Sequence, residues 1–124
     1  LKEFYYITRL RYADNSPISL EKQYYSPEIG RKLMKHDLNN AVIYDLLENS
    51  LGITLWEAEQ IITSRLPSKS EANLLKCSKT LCLMVSERFV SDPNGNPIEY
   101  EKSVIRSDMY AFRMKLARRV TSSS

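Results

Sequence analysis

The sequence has few of the residues from which phosphate loops and metal sites are built. It contains three glycines in 124 residues, too few for a glycine-rich phosphate loop. Its two cysteines, Cys77 and Cys82, and its one histidine, His36, are too few to ligate zinc. The same scarcity argues against a Cys–His catalytic pair. We therefore predict no metal, no cofactor and no catalytic residue in this chain.

Long apolar runs and strong net charge are missing as well. No apolar run approaches the roughly 20 residues that cross a bilayer, and the first residues are charged where a signal peptide would be apolar. The net charge is only +3 and the basic residues are mostly spread along the chain, which argues against direct DNA binding. We predict a single cytoplasmic domain with no membrane contact. Because the chain lacks a starting Met, we expect it to be part of a longer protein.

The chain contains two strand–turn–strand units of the same design, at residues 7–21 and 85–100. In each unit, a strand that carries arginine is followed by a short polar turn and then by Pro-Ile with a carboxylate close behind. Arginine and glutamate at alternate positions indicate antiparallel strands with one core face and one polar face. Such a polar face can form a pocket for an anionic, polyhydroxylated ligand.

The first hairpin has a predictable register, because a one-residue slip would move a whole face to the other side of the sheet. Uniting the apolar faces also brings arginine opposite carboxylate on the polar face. The predicted cross-strand pairs are Leu10–Leu20, Tyr12–Ile18, Arg9–Glu21 and Arg11–Ser19.

Capping residues and hydrophobic periodicity predict the remaining elements. Ser26 followed by Pro27 is a helix start, and Ser68 with Glu71 forms a capping box. The predicted helices are residues 26–34, 41–49 and 68–75, and the further strands are residues 55–66, 81–90, 98–106 and 110–118. Short turns join two of the strand pairs. We therefore predict an α+β domain whose central, mostly antiparallel sheet is flanked by helices.

Segments along nearly the whole chain resemble one known family. They are residues 9–14 (Arg-Leu-Arg-Tyr-Ala-Asp), 17–21, 43–48, 51–53, 58–60, 81–83, 94–100 and 105–112. In this order they resemble the effector-binding domain, called UTRA, of GntR-family transcription regulators of the HutC subfamily. The resemblance implies a chorismate-lyase-like fold for residues 1–120, with a disordered tail at 121–124. It also implies that the N-terminal winged helix-turn-helix and the first strand of the domain are absent.

The same resemblance implies a sensor rather than an enzyme. The domain would bind a small metabolite, commonly a sugar phosphate or an amino-sugar phosphate, and would form a homodimer. Operator DNA would be contacted only through the absent N-terminal domain. We expect the intact regulator to be a repressor.

The resemblance and the strand pattern together select six candidate ligand contacts: Arg9, Arg11, Glu21, Tyr44, Glu99 and Arg106. Arg9 and Arg11 share a strand face, and planar guanidinium groups suit a phosphate or carboxylate. The two glutamates occupy equivalent places in the two hairpins, where carboxylates suit hydroxyl or ammonium groups. Tyr44 lies at a helix start, whose free N–H groups favour an anion. Arg106 could touch the ligand or pair with Asp108.

Two residues depart from the family pattern. Relatives often carry a small hydroxyl residue near position 42 and a tyrosine at position 105, where this chain has Val42 and Ile105. Both changes remove polar groups from the expected pocket. A ligand-free dimerisation module is therefore one alternative function. An enzyme of the chorismate lyase type, with the same fold, is another.

Overall fold

Five antiparallel strands form one sheet within residues 4–38 and 42–118, the residues that the computed structural model describes. The strands are β1 (Tyr5–Ala13), β2 (Ser16–Tyr25), β3 (Glu57–Arg65), β4 (Leu83–Ser91) and β5 (Pro97–Arg106). Their order in the sheet is β1-β2-β5-β4-β3. The helices are α1 (Pro27–Leu33), α2 (Ile43–Asp45), which continues as a π-helical turn over Leu46–Ser50, and α3 (Lys69–Leu75). The predicted α+β class and antiparallel sheet are confirmed.

The hairpin of β1 and β2 has most of its predicted register. Three predicted pairs are confirmed: Arg9–Glu21, Leu10–Leu20 and Arg11–Ser19. The predicted pair Tyr12–Ile18 is wrong, because a register shift places Tyr12 opposite Pro17. The turn is also tighter than predicted. Only Asp14 and Asn15, both with positive φ, separate the two strands, as in the tight turns that match strand twist.

The second hairpin, β4 and β5, lies beside the first because β2 pairs with β5. Its turn is closed by Asp92, whose Oδ1 accepts hydrogen bonds from the backbone N–H groups of Asn94 and Asn96 at 3.0 and 2.9 Å. Across the β2–β5 pair, Glu21 lies opposite Ser103. The polar faces of the two hairpins therefore form one continuous surface.

Local capping explains where α1 and α3 begin. Ser26 Oγ accepts a hydrogen bond from the N–H of Ile29 at 3.4 Å, and Pro27 follows at the first helical position. In α3, the Glu71 N–H donates to Ser68 Oγ at 3.1 Å, and the Ser68 N–H donates to Glu71 Oε1 at 2.9 Å. Both predicted helix starts are confirmed.

The core is divided between the two faces of the sheet. Side chains of α1, α2 and the π-helical turn pack at one end of the polar face, with the buried residues Tyr25, Leu33, Ile43, Leu47 and Ile98. On the other face α3 packs against the sheet, with the buried residues Leu75, Leu83 and Val104. Helices thus cover only part of the polar face, and the rest of that face lines a cleft.

Residues 110–118 do not form the predicted last strand. The chain leaves the sheet where β5 ends at Arg106, and no strand is assigned to this segment. The alternation of Phe112, Met114 and Leu116 predicted a strand, but all three side chains are exposed. Alternation specifies which side chains share a face and does not provide the hydrogen-bonded neighbour that a strand needs.

The second predicted helix is helical from Ile43 in the structure, and its predicted first residue, Ala41, lies outside the described residues. The start of the predicted domain at residues 1–3, its end at residues 119–120 and the predicted tail at residues 121–124 also lie outside them.

Candidate ligand-binding site

A cleft of about 260 Å³ opens on the polar face of the sheet, between the strands and the start of α2. It is lined by Arg9, Arg11, Glu21, Gln23, Val42, Ile43, Tyr44, Arg88, Glu99 and Glu101. The structure therefore brings together five of the six predicted ligand contacts. The sixth, Arg106, does not line this cleft.

Arg106 is engaged elsewhere, in contacts that link β5 to α3. Its guanidinium donates to both carboxylate oxygens of Asp108 at 3.0 and 2.7 Å. It also donates to the carbonyl oxygen of Leu75 at 3.1 Å. The Asp108 carboxylate raises the pKa of Arg106, so the pair is held by charge as well as geometry. These contacts favour a structural role for Arg106.

Glu99 forms the buried centre of the cleft. Glu99 is only 4% exposed. Its two carboxylate oxygens accept hydrogen bonds from two tyrosine hydroxyls. The Tyr25 hydroxyl donates at 2.5 Å and the Tyr44 hydroxyl at 3.1 Å. Burial raises the pKa of Glu99, while the hydrogen bond from Tyr25 opposes that rise. Burial and the nearby carboxylate of Glu99 raise the pKa of both tyrosines, so both remain proton donors.

Glu21 lies nearer the rim and is held by an arginine of the neighbouring strand. Arg11 Nη1 lies 3.6 Å from Glu21 Oε1. Arg9 is opposite Glu21 in the strand register, and its side chain also lines the cleft. Burial and the charge of Glu101 raise the pKa of Glu21, whereas Arg11 lowers it. The rim therefore presents arginine and carboxylate side by side.

Three polar lining residues were missed by the sequence reasoning: Gln23, Arg88 and Glu101. Gln23 Nε2 donates to Glu101 Oε2 at 3.1 Å, which links β2 to β5. The guanidinium carbon of Arg88 lies 5.5 Å from the centre of the Tyr44 ring, within range of a cation–π contact. The doubled hairpin pattern contained a signal for Arg88, since this arginine occupies the arginine-bearing strand of the second unit. The contact between β2 and β5 left no signal in the sequence.

The cleft continues across the sheet into a second cavity of about 350 Å³. Four side chains line both parts: Arg11, Glu21, Arg88 and Glu101. The second part ends against Ile105, Tyr110 and Phe112. Ile105 is buried, so this end of the cleft is more apolar than a tyrosine at the same position would make it.

The start of α2 borders the cleft without a side-chain cap. Val42 occupies the N-cap position and makes no side-chain hydrogen bond there. Its side chain is 69% exposed and offers no donor to a ligand. Charged recognition in this cleft therefore depends on the strand residues rather than on position 42.

A larger groove of about 680 Å³ runs beside a row of aromatic rings at one end of the sheet. Tyr24 and Tyr100 have ring centres 5.5 Å apart, and Phe89 continues the row at 4.9 Å from Tyr100. Among residues 4–38 and 42–118, no arginine or lysine lines this groove. We therefore consider the smaller cleft the better candidate for an anionic ligand.

Comparison with known protein families identifies the kind of domain that carries this cleft. Residues 1–111 match the UTRA domain. The chain belongs to the UTRA domain family. The UTRA domain family that the sequence segments resemble is thus confirmed. That this domain is part of a GntR-family transcription regulator stays a prediction. Its assignment to the HutC subfamily stays a prediction.

Relatives of this UTRA domain are transcriptional regulators. Over 106 residues it is 30% identical to the HTH-type transcriptional repressor NagR of Bacillus subtilis. The aligned segment covers 86% of this chain and 43% of NagR. The chain therefore spans less than half the length of that curated relative. That this domain is a sensor rather than an enzyme stays a prediction.

Solved structures confirm the predicted chorismate-lyase-like fold. The effector domain of PhnF from Mycobacterium smegmatis is similar with a TM-score of 0.84 at 22% identity, covering 93% of this chain and 70% of that one. The C-terminal domain of the histidine utilization repressor from Pseudomonas syringae pv. tomato gives a TM-score of 0.83 at 14% identity, covering 94% and 81%.

None of the helices in residues 4–38 and 42–118 has the length and apolar character to span a bilayer. Across the same residues, no three His, Cys, Asp or Glu side chains are grouped as metal ligands.

Proposed function

We propose that this UTRA domain senses a small anionic metabolite, a sugar phosphate or amino-sugar phosphate, for a cytoplasmic repressor of the HutC subfamily. The supporting observation is one cleft that combines Arg9 and Arg11 with the buried Glu99. In this proposal the regulator is a homodimer, and operator DNA is bound by a winged helix-turn-helix domain elsewhere in the full-length protein.

The chemistry of the cleft suits such a ligand. Guanidinium groups form paired, charge-assisted hydrogen bonds with phosphate or carboxylate oxygens, so Arg9 and Arg11 hold the acidic end. Glu99, already bonded to Tyr25 and Tyr44, presents an oriented carboxylate for sugar hydroxyls or an ammonium group. Glu21 supplies a second acceptor at the rim. Orientation of these groups before binding lowers the entropic cost of association.

Sensing works in this proposal by a shift of population. The ligand binds one arrangement of the dimer better than another, and the preferred arrangement changes the spacing of the two DNA-binding domains. The shift is limited by the difference between the affinities for the two arrangements. The contacts that matter most are therefore those that differ between the arrangements.

A thermal-shift screen tests the proposal. The panel contains sugar phosphates, amino-sugar phosphates, free sugars and small organic acids. A ligand present at 100 times its Kd adds about 2.7 kcal/mol to the free energy of unfolding, which gives a visible shift. We expect the shift from a phosphorylated sugar to be lost in Arg9→Ala and in Arg11→Ala. Arg31→Ala, at an exposed position of α1, is the matched control and should keep the shift. Unchanged affinity in both cleft variants would refute the site.

A ligand-free dimerisation module is the second candidate, and Val42 and Ile105 favour it because both lack the polar groups expected in the pocket. It predicts no thermal shift with any compound of the panel, together with a dimer in sedimentation equilibrium. A shift with any phosphorylated sugar would exclude it.

A further inference from the structure

Two buried polar atoms in the cleft have no hydrogen-bond partner among the described residues: Gln23 Oε1 and Arg88 Nε. One is an acceptor and the other a donor. Buried polar groups in folded proteins are nearly always hydrogen-bonded, and an unsatisfied one is costly. Both residues line the same cleft, so one ligand can satisfy both.

The orientation of the Gln23 amide follows from its neighbours. Its Nε2 lies 3.4 Å from Glu21 Oε1 and 3.1 Å from Glu101 Oε2. Ionised carboxylates only accept hydrogen bonds, so the amide nitrogen must face them and the amide oxygen must face away. The carboxylates of Glu21 and Glu101 therefore fix the orientation of the Gln23 amide, and they leave its Oε1 as an acceptor without a donor.

Arg88 occupies the middle of the extended cleft, since its side chain lines both cavities. It lies opposite Glu101 in the β4–β5 register, yet no ion pair within 4.0 Å joins it to any carboxylate of the described residues. Its guanidinium is instead positioned against the Tyr44 ring. An arginine held in place by an aromatic ring, with its charge unneutralised by contact, is prepared to bind an anion.

The charges of the cleft restrict what can bind. Three arginines and three glutamates line it: Arg9, Arg11, Arg88, Glu21, Glu99 and Glu101. A simple anion would satisfy the arginines and be repelled by the carboxylates. A neutral polyol would leave Arg88 unpaired. A ligand with both an acidic group and hydrogen-bond donors satisfies both sets.

We propose that Arg88 binds the acidic group of the effector, and that Gln23 Oε1 accepts a hydrogen bond from a donor on the rest of that molecule. This inference rests on the proposed function and narrows it to an amphoteric ligand, for which an amino-sugar phosphate is the fitting class. The acidic group is then held by Arg88 together with Arg9 and Arg11, the three arginines that line the cleft.

The test measures Kd by isothermal titration calorimetry for two probes, glucosamine 6-phosphate and glucosamine. Removing a charged hydrogen-bond donor costs roughly 10- to 100-fold in affinity. Arg88→Met should weaken binding of glucosamine 6-phosphate by that factor and leave glucosamine unchanged. Gln23→Met should weaken both probes, because its acceptor serves the sugar. Arg88→Lys keeps the charge without the planar fork and should recover only part of the loss. Arg31→Met is the control for loss of one positive charge.

The outcomes separate this inference from the function on which it rests. Selective loss of the phosphorylated probe in Arg88→Met, with thermal stability without ligand retained, supports it. If that variant binds glucosamine 6-phosphate as the wild type does while Arg11→Ala does not, the role of Arg88 is refuted and the proposed function stands. If the wild type binds neither probe, both are refuted for this ligand class. Equal losses in Arg88→Met and Arg31→Met would show a general charge effect and also refute the inference.

Discussion

Replacing Tyr25 by Phe should destabilise the domain in a manner that depends on pH. The phenol is 2% exposed and donates to Glu99 Oε2 at 2.5 Å. Phenylalanine fills nearly the same volume, so the change removes a hydrogen bond and leaves little cavity. A hydrogen bond to a charged group contributes roughly 1.5–3 kcal/mol, and a neutral one roughly 0.5–1.5 kcal/mol. We therefore expect the free energy of unfolding to fall by about 2 kcal/mol near neutral pH.

The same loss should shrink to about 1 kcal/mol in acid, when Glu99 is protonated. Burial holds the pKa of Glu99 above its ordinary value in the folded protein. Because Glu99 binds its proton more tightly in the folded protein than in the unfolded chain, its protonation stabilises the fold below the ordinary carboxyl pKa of about 4.3. This stabilisation is lost as pH rises through the pKa of Glu99 in the folded protein. Removing the Tyr25 hydroxyl raises that folded pKa further. The deficit of the variant therefore grows as pH increases through this range.

Urea denaturation near neutral pH and below about pH 4 measures both values. Tyr24→Phe is the matched control. The Tyr24 ring packs between Phe4 and Tyr100, and within the described residues its hydroxyl has no hydrogen-bond partner. The control should change stability by less than about 0.5 kcal/mol. An equal deficit for Tyr25→Phe at both pH values, or a deficit no larger than that of the control, would refute the reasoning about Glu99.

Two further predictions concern the helices. Gly30→Ala should lower the free energy of unfolding by about 1–3 kcal/mol, because the added Cβ would overlap the Tyr5 side chain beneath α1. An unchanged melting temperature of the variant would contradict this close approach. Glu71→Ala should cost about 1 kcal/mol near neutral pH through loss of the capping box and the Arg65 pair. Hydrogen bonding from Arg65 lowers the pKa of Glu71 to about 2, so this stability is present above the ordinary carboxyl pKa and is lost as pH falls towards 2. Urea titrations across that range should show wild type and variant converging in acid, and a constant difference would argue against the ionised pair.

Much of the local structure was predictable because its causes are local. Ser26 and Ser68 lie next to the helix N–H groups that they cap, and the positive-φ residues Asp14, Asn15 and Gly95 lie in the turns of the two hairpins. The register of β1 and β2 followed from period-two alternation, since any slip would expose a face. It failed only at Tyr12, where one extra residue in β2 shifts the pairing, and a pattern of faces contains no information on such a shift.

The candidate site was predictable only in part. Arg9, Arg11, Glu21 and Glu99 were found within the hairpins, and Tyr44 was found at its helix start. Missing were Gln23 and Glu101, which contact each other across β2 and β5, and Arg88, whose side chain lies against Tyr44 of α2. The strand predicted at residues 110–118 was wrong for a related reason, because strand formation requires a partner and the sequence pattern names none.

The sequence by itself determined the two hairpins, the helix starts and the polar character of one sheet face, since these depend on neighbouring residues and on side-chain period. The tertiary structure alone decided that β2 lies beside β5, with 71 residues between the end of one and the start of the other. That contact places Gln23 between Glu21 and Glu101 and brings Tyr25 to Glu99. Strand order is set by the packing of the whole core, and no local pattern specifies it.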